Sequence, residues 1–385
     1  MLRLLTAGES HGPACVAILE GMPTGVTVSV DDINRELRKR HFDFGRGGRA
    51  SIEKDEVEIL SGVRYGKTLG SPMALMVRNL DFASWQDEMR IETISKEAEK
   101  LTKPRPGHAD LAGALKYGQD DIRNIMERAS ARETVARVMA GAVVKKLLAQ
   151  FDIKLTSHTI QIGTVKLSRP PKNFLEVASV FDTDPDIRCI DLETSRKMKE
   201  AILEARKRQD TLGGVVEVIA IGVPVGLGSV MHYDRRLDGR IAQALMSIPS
   251  VKAVEIGDAI KIASMFGSEA QDIISYKKGR FVRKTNNMGG IEGGMSNGED
   301  IVCRVYHKPI STLGSPLRTV DIKTHKPASA IVERSDVCVV PRAGVISEAM
   351  LALVLGEAML EKFGGDHINE TKRNFSSYIE SLEKR

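Results

Sequence analysis

The chain has 385 residues, 42% of them hydrophobic, which is enough to bury a large core. Its 56 basic and 51 acidic residues leave a formal net charge of +5, well short of a protein that coats nucleic acid. Aromatic residues make up only 4% of the chain, which disfavours single-strand binding by base stacking. The longest apolar stretch, 215–228, is interrupted by Glu217 and Pro224 and is too short to span a bilayer.

Four widely spaced cysteines indicate a reducing compartment. Three of them lie in apolar runs and no two form a C-x-x-C pair, so we predict reduced core residues rather than disulfides or a zinc site. They are Cys15, Cys189, Cys303 and Cys338. Residues 1–12 also lack an apolar segment of signal-peptide length. We therefore expect a soluble, cytoplasmic protein without a metal, whose partners include neither membrane nor nucleic acid.

The N-terminal third alternates short apolar runs with one amphipathic stretch. Ser29 offers an N-cap, and Ile33 and Leu37 share one face of a helix that ends near Arg40. A loop rich in Gly and Arg follows over 41–51. Strands are predicted at 15–19, 56–60 and 73–77.

The strongest helix signal is 131–151, where apolar residues recur along one helical face. Residues 193–208 predict a charged helix and 213–223 a buried strand. Further strands are expected at 153–167 and 301–306, and further helices at 235–246, 347–362 and 367–384. Because no linker or repeat divides the chain, we predict one large α/β or α+β domain over residues 1–385.

Two segments imitate ligand-binding motifs. Residues 62–68 follow a predicted strand and end in Gly-Lys-Thr, but three residues separate their glycines where a P-loop needs four. Pro72 also disrupts the helix that should follow, so we predict a plain strand–turn–strand. Gly45–Arg49 resembles an RGG nucleic-acid box, yet a single copy without interleaved aromatic residues does not favour that function.

Two histidines stand in Gly-flanked segments, Gly8–Gly12 and Arg105–Asp110, that leave an imidazole uncrowded. The ordinary pKa of imidazole lies closest to neutral pH, so His11 and His108 indicate proton transfer. A structural role is the alternative for each, and beside His108 we expect Asp110 to cap a helix that starts at residue 111. Neither histidine has local metal-ligand spacing, which disfavours a metal site.

Six arginines lie among Gly, Ala or Ser residues, where a ligand can approach closely. Such arginines are typical of carboxylate or phosphate clamps. They are Arg40, Arg46, Arg49, Arg105, Arg128 and Arg132. Ser130 and Arg132 precede the strongest helix and suit an anion, although Ser130 with Glu133 also fits a capping box.

Three later segments leave a ligand role and an ordinary structural role open. Lys308–Thr312 places a cation beside two hydroxyls after a strand, as a binding loop or a turn would. The loop 286–298 is too rich in glycine to be a linker with nothing to bind. Glu333–Asp336 places Arg334 near Asp336, which alone is typical of a surface ion pair.

Together these segments resemble the chorismate synthase family, in the family's order and over nearly the whole chain. The matching motifs are GESHG at 8–12, R-x5-R at 40–46, RPGHAD at 105–110, RASARET at 128–134, GGMSNG at 293–298, KPIST at 308–312 and RSD at 334–336. One departure is visible: Pro249-Ser250 stands where the family commonly has Asn-Ala, a pair associated with flavin binding. There, backbone contacts could replace a side-chain contact.

The resemblance implies an α+β fold, a β-α-β sandwich with helices packed between antiparallel sheets, assembled as a homotetramer. It implies conversion of 5-enolpyruvylshikimate 3-phosphate to chorismate and phosphate by an anti 1,4-elimination that needs reduced FMN without net redox change. A substrate with two carboxylates and a phosphate accounts for an arginine-lined pocket. NADPH is implied as the reductant in members that reduce their own flavin.

The resemblance also implies roles for individual residues. His11 would protonate the departing phosphate, His108 would manage the proton at flavin N1, and Asp336 would relay the substrate's ring hydrogen near flavin N5. Substrate or NADPH contacts are implied for Ser10, Arg40, Arg46, Arg49, Arg105 and Arg132. Cofactor contacts are implied for Arg128, Ala129, Ser130, Pro249, Ser250, Gly293, Lys308, Pro309, Ile310, Ser311, Thr312 and Arg334.

Two other classes of protein stay open at this point. A flavin- or phosphate-binding regulator would keep the arginines but need neither histidine. A nucleic-acid-binding protein would use the 46–49 loop and would show a steep salt dependence of oligonucleotide binding.

Overall fold

The computed structural model describes residues 2–41, 44–45, 54–93, 98–277, 279–333 and 336–384. In these ranges the helices are α1 Val30–His41, α2 Asp110–Tyr117, α3 Arg123–Ala129, α4 Thr134–Ala149, α5 Phe174–Ala178, α6 Val180–Thr183, α7 Leu192–Lys207, α8 Leu237–Met246, α9 Ala259–Ile262, α10 Gly267–Ala270, α11 Val340–Phe363 and α12 Ile368–Glu383. The strands are β1 Arg3–Ala7, β2 Ala14–Glu20, β3 Val57–Ile59, β4 Val63–Arg64, β5 Lys67–Thr68, β6 Met73–Arg78, β7 Lys154–Ile162, β8 Val165–Lys166, β9 Gly214–Ile221, β10 Val251–Ile256, β11 Ile274–Lys277, β12 Arg280–Arg283, β13 Ile291–Glu292, β14 Met295–Ser296, β15 Ile301–His307, β16 Arg318–Val320 and β17 Pro327–Ser329.

Two antiparallel sheets form the outer layers. One has the strand order β1-β2-β6-β3 and the other β10-β15-β9-β7-β8. In β2, Cys15, Ala17 and Leu19 are fully buried while Val16 and Ile18 are not, the alternation expected when one sheet face packs on a core.

Helices fill the space between the sheets. α4 packs on β2 and β6 of the first sheet, α11 packs on β7 and β9 of the second, and the two helices pack on each other. A Cβ added to Gly141 would lie 2.4 Å from the Cβ of Ala349, so the close approach of these helices needs glycine. The layering confirms the expected α+β fold, a β-α-β sandwich.

α11 has the length and hydropathy of a membrane-spanning helix, but 78% of its apolar window is buried inside the protein, as in the core helix of a soluble protein. Its sequence predicts a start at Ser347, whereas the helix begins at Val340 because Pro341 fits the first turn. A buried ion network crosses the helical layer: the Lys145 ammonium contacts Glu36 and also Glu348, the latter at 2.6 Å.

Most predicted elements are confirmed to within a few residues. Ser29 caps α1, accepting a hydrogen bond from the Asp32 N–H at 3.1 Å. Residues 62–68 form the hairpin β4–β5, with Tyr65 and Gly66 at φ 50° and 71° in the turn, so they are not a P-loop. All four cysteines are buried and no disulfide joins them, as predicted.

Candidate functional site

The segment between β1 and β2 carries the first histidine. Gly8 has φ 113°, and a Cβ there would meet the Ala14 carbonyl oxygen at 2.3 Å, so the tight turn requires glycine. The turn buries Ser10 and leaves His11 partly buried. The N–H of Ser10 donates to the Glu127 carbonyl oxygen at 3.0 Å, which ties the turn to α3.

His11 is held by the side chain of Glu127. The backbone N–H of His11 donates to Oε2 at 2.7 Å, and its Nδ1 lies 2.8 Å from Oε1. Burial opposes ionisation of Glu127, but the hydrogen bonds from His11 outweigh it and lower the pKa of that carboxyl. An ionised carboxylate only accepts hydrogen bonds, so the Nδ1–H of His11 donates to it.

A ring stack fixes the plane of the His11 imidazole. Its centroid lies 3.9 Å from that of Trp85, with an angle of 26° between the rings. The Arg123 guanidinium lies 5.3 Å from the centroid of the same Trp85 ring and 4.0 Å from the carboxylate of Glu127. We call Ser10, His11, Trp85, Glu127 and Ser130 the His11 cluster.

Two buried arginines lie directly beneath this turn and share one carboxylate. Arg132 donates to Asp55 at 2.6 Å and to the side chain of Asn79 at 2.9 Å. Arg40 contacts the other oxygen of Asp55 at 3.3 Å and donates to the hydroxyl of Thr134. We call these five residues the arginine cluster. Arginine charge lowers the pKa of Asp55 against the opposing effect of burial, so the carboxyl stays ionised.

Ser130 and Asn79 join the two clusters. The Ser130 hydroxyl donates to that of Ser10 at 3.1 Å and accepts the Arg132 N–H at 3.3 Å. Asn79 donates to the Gly12 carbonyl oxygen at 2.7 Å. Ser130 therefore caps the short 3-10 turn 131–133, but the expected capping box is wrong, because the Glu133 carboxylate pairs with Arg137 instead.

The second histidine also rests on a buried carboxylate. Nδ1 of His108 lies 2.5 Å from Asp110 Oδ1, and Arg105 donates to Asp110 through Nε at 2.9 Å and Nη2 at 3.1 Å. The expected helix cap is wrong: α2 begins at Asp110 itself, and the carboxylate turns back to accept the Arg105 N–H. Burial opposes ionisation of Asp110, but His108 and Arg105 hold its pKa far below the usual range.

The Lys308–Thr312 segment packs against the segment that carries His108. Arg105 Nη1 donates to the Thr312 hydroxyl at 2.8 Å. Lys308 donates to the Gly107 carbonyl oxygen and to the Ser311 hydroxyl, both at 2.8 Å. We call Arg105, His108, Asp110, Lys308 and Thr312 the His108 cluster.

The two histidine clusters stand on neighbouring helices. Glu127 lies in α3 and Asp110 begins α2, and these helices pack so closely that a Cβ on Gly113 would meet Ile125 at 2.4 Å. Two imidazoles, each with Nδ1 on a buried carboxylate, are thereby carried by one helical pair.

Asp336 lies beside α11 and pairs with Arg342. Arg188 connects this region to the arginine cluster, because it donates to the Pro341 carbonyl oxygen and to that of Lys39, next to Arg40. Arg46, Arg49 and Arg334 lie outside the described residues.

Other predicted cofactor residues are more dispersed. Gly293 occupies the turn between β13 and β14, before β15, whereas Lys308 follows that strand. Arg128 is exposed and bonds Thr6 and the Gly8 carbonyl oxygen.

The Pro249-Ser250 departure is accommodated locally. Ser250 has φ 74°, its hydroxyl lies 2.9 Å from Nδ1 of His307, and its carbonyl oxygen accepts the Lys308 N–H at 2.9 Å. Burial lowers the pKa of His307 to about 4, so this ring is neutral. Ser250 thus positions the backbone that carries Lys308.

Comparison with known proteins identifies the family. The family model described as chorismate synthase matches residues 2–360. The chain is 51% identical over 387 residues to a chorismate synthase of Solibacter usitatus and 52% identical over 385 residues to that of Moorella thermoacetica, with 100% of both chains covered in each case. A solved structure titled as a crystal structure of chorismate synthase has a TM-score of 0.80 and 42% identity, covering 100% of this chain and 99% of that one. The chain therefore belongs to the chorismate synthase family of carbon–oxygen lyases.

Proposed function

We propose that this chain converts 5-enolpyruvylshikimate 3-phosphate to chorismate and phosphate by anti 1,4-elimination with reduced FMN. The observation that carries the proposal is the pair of imidazoles, His11 and His108, each held through Nδ1 by a buried carboxylate. The elimination breaks a C–O bond to phosphate and a C–H bond of the ring. It therefore needs a proton or cation at the leaving oxygen and an acceptor for the hydrogen.

His11 is the group assigned to the leaving phosphate. Its Nδ1–H is committed to Glu127, so the proton delivered to the phosphate oxygen comes from Nε2. Glu127 stabilises the imidazolium that precedes proton delivery, as a carboxylate does for a catalytic histidine elsewhere. The Ser10 hydroxyl, fixed by Ser130, is assigned to the same part of the substrate.

The arginine cluster is assigned to the acidic groups of the substrate. Arg40 and Arg132 are held by Asp55 with their guanidinium planes fixed, which reduces the entropy lost when an anion binds. Arg105 is fixed in the same way by Asp110 and Thr312. We assign it to the substrate by resemblance, together with Arg46 and Arg49, and its bonds to Asp110 also hold the carboxylate that positions His108.

Reduced FMN supplies, when bound, electron density to the substrate that returns within the same turnover. Burial, and to a smaller extent the Lys252 ammonium, lowers the pKa of Lys308, and an anion at this position would relieve the repulsion between the two cations. Lys308, Ser311 and Thr312 therefore fit an anionic cofactor. We assign Ser130, Gly293 and Arg334 to the cofactor by resemblance.

Two proton-transfer roles near the cofactor are still to be assigned to residues. We assign His108, held by Asp110, to proton transfer at the flavin ring, and Asp336 to acceptance of the substrate hydrogen. Asp336 pairs with the Arg342 guanidinium at the start of α11. Where the enzyme reduces its own flavin, Arg40 and Arg46 are assigned to NADPH.

We further propose one catalytic domain over residues 1–385, cytoplasmic and self-associating, as the resemblance to a homotetrameric family implies. The outer face of the first sheet supports self-association: Leu5 and Ile18 pair in register and are 62% and 41% exposed. Uncovered apolar sheet faces are typical of contact surfaces. Sedimentation of a monomer at micromolar concentration would contradict this part of the proposal.

The test of the proposed reaction is phosphate release from the enolpyruvyl substrate under anaerobic conditions. We expect release with reduced FMN and none with oxidised FMN or without flavin. A chain that binds flavin but releases no phosphate would be a flavin-binding regulator instead. Release without flavin would contradict the proposed role of the cofactor.

A further inference from the structure

Glu127 makes an unusual double contact with a single residue. Its two carboxylate oxygens accept the backbone N–H and the ring Nδ1–H of His11, at 2.7 and 2.8 Å. The side chain is 4% exposed, so water competes little for either bond. Charge-assisted hydrogen bonds of this kind are about twice as strong as neutral ones.

This double contact determines the rotamer and the tautomer of the His11 ring as well as its position. The backbone bond fixes the carboxylate relative to the main chain of His11, and the ring bond then permits one rotamer of χ2 and one neutral tautomer, with the proton on Nδ1. In that tautomer Nε2 is the atom that gains and loses a proton. The opposite tautomer would place a lone pair of Nδ1 against a carboxylate oxygen.

Trp85 limits the remaining freedom of the imidazole. The 3.9 Å stack covers one face of the ring and prevents it from tilting. Trp85 is itself held by a hydrogen bond from Nε1 to Asp81 at 3.3 Å. Arg123, 4.0 Å from Glu127, adds positive charge near the carboxylate.

We infer that Glu127 is the positioning residue for His11, fixing the Nδ1–H tautomer and presenting Nε2 to the substrate, with Trp85 setting the plane of the ring. Only the expected effect on turnover rests on the proposed function. The tautomer is a property of the enzyme without substrate, so it can be measured even if the proposed reaction is wrong.

The substitution Glu127→Gln should change the tautomer of His11. The amide has one acceptor and one donor group in place of two acceptors. Because the backbone N–H of His11 cannot change, the amide oxygen keeps that bond and the NH2 group turns to Nδ1. The ring must then accept at Nδ1, which moves its proton to Nε2 and disfavours the imidazolium.

The experiment uses the whole protein with 15N-labelled histidine, and the His11 signals are assigned by comparison with His11→Gln. Nitrogen chemical shifts above the titration range distinguish the two tautomers. We expect the proton on Nδ1 in the wild type and on Nε2 in Glu127→Gln. With substrate and reduced FMN, the variant should turn over on the order of 10²–10⁴-fold more slowly.

Glu217→Gln is the matched control. Glu217 is also a buried glutamate, 5% exposed, bound to a histidine, His158, at 3.0 Å in the second sheet. This variant should leave the His11 tautomer and the turnover of folded protein unchanged. Glu127→Asp, which keeps the charge but shortens the side chain, should retain the Nδ1–H tautomer and recover part of the rate.

The possible results distinguish the positioning role of Glu127 from the proposed reaction. A wild-type His11 with its neutral proton on Nε2 overturns the inference, even if no variant folds. A Glu127→Gln enzyme that keeps both the wild-type tautomer and the wild-type rate also overturns it. A switched tautomer in a protein without phosphate release supports the positioning role and contradicts only the proposed reaction.

Discussion

Asp110 should contribute more to stability than its size indicates, and Asp110→Asn tests this. The carboxylate is fully buried and accepts bonds from the Arg105 N–H, Nε and Nη2 and from Nδ1 of His108. Oδ1 and Oδ2 each accept two of these bonds. In the less costly orientation of an asparagine amide, the NH2 group faces the Arg105 Nη2 donor and the His108 ring, which can accept through Nδ1 in its other tautomer. The substitution also removes the nearer carboxylate from the Arg105 guanidinium, which then keeps its contact with Glu333 at 4.0 Å.

The expected loss of stability can be estimated from these contacts. Hydrogen bonds to charged groups are worth roughly 1.5–3 kcal/mol each, and at least the bond from Arg105 Nη2 is lost. Removing one partner of a buried ion pair costs about 3–5 kcal/mol, a range that includes this loss. We therefore expect Asp110→Asn to lower the free energy of unfolding by about 3–5 kcal/mol.

Urea denaturation at neutral pH measures this loss, with Asp272→Asn as the control. Asp272 is also buried and accepts three hydrogen bonds, but from the Thr285 hydroxyl and the N–H groups of Asn287 and Met288, which are neutral. Asp272→Asn should lower the free energy of unfolding by less than Asp110→Asn does. A loss for Asp110→Asn below 1 kcal/mol, or no larger than that of the control, would refute the reasoning.

Three further results are expected. Lys308→Ala should weaken FMN binding in an absorbance titration with substrate present, and unchanged binding would contradict the anionic-cofactor assignment. Arg132→Ala should weaken substrate binding about tenfold to a hundredfold by calorimetry, with partial recovery in Arg132→Lys because the lysine lacks the bidentate fork. The Lys145 and Lys39 ammonium groups outweigh burial and lower the pKa of Glu36 from 4.5 to about 2, so this carboxyl stabilises the fold above pH 4.5 and loses roughly 3 kcal/mol as the pH falls towards 2. Denaturation across that range should show a smaller loss in Lys145→Met than in the wild type, and identical acid profiles would contradict the role of the network.

Local patterns predicted the elements and both histidine segments, because they are set by neighbouring residues. Gly8 and Gly12 mark a turn whatever the rest of the chain does, and the apolar period of α4 is visible in its own residues. The partners of these segments could not be predicted in the same way. Glu127 lies 116 positions from His11, and Thr312 lies 207 positions from Arg105.

Asp110 shows how a local rule fails when a distant group competes. An aspartate at the start of a helix ordinarily caps it, but here the Arg105 guanidinium and the His108 ring offer charged donors to the same oxygens. Glu133 makes the same point, since Arg137 one helical turn on binds its carboxylate in place of the Ser130 N–H. Spacing alone does not reveal which donor an acidic side chain takes.

The most direct test of the two-imidazole mechanism is phosphate release under anaerobic reduction in wild type, His11→Ala and His108→Ala, with thermal midpoints measured in parallel. We expect both variants to release phosphate about 10²–10⁴-fold more slowly while their midpoints stay near that of the wild type. The reduced-flavin spectrum should change more in His108→Ala than in His11→Ala. Turnover near the wild-type rate in either variant would contradict the catalytic role of that histidine, and a collapsed midpoint would assign it to the core of the protein instead.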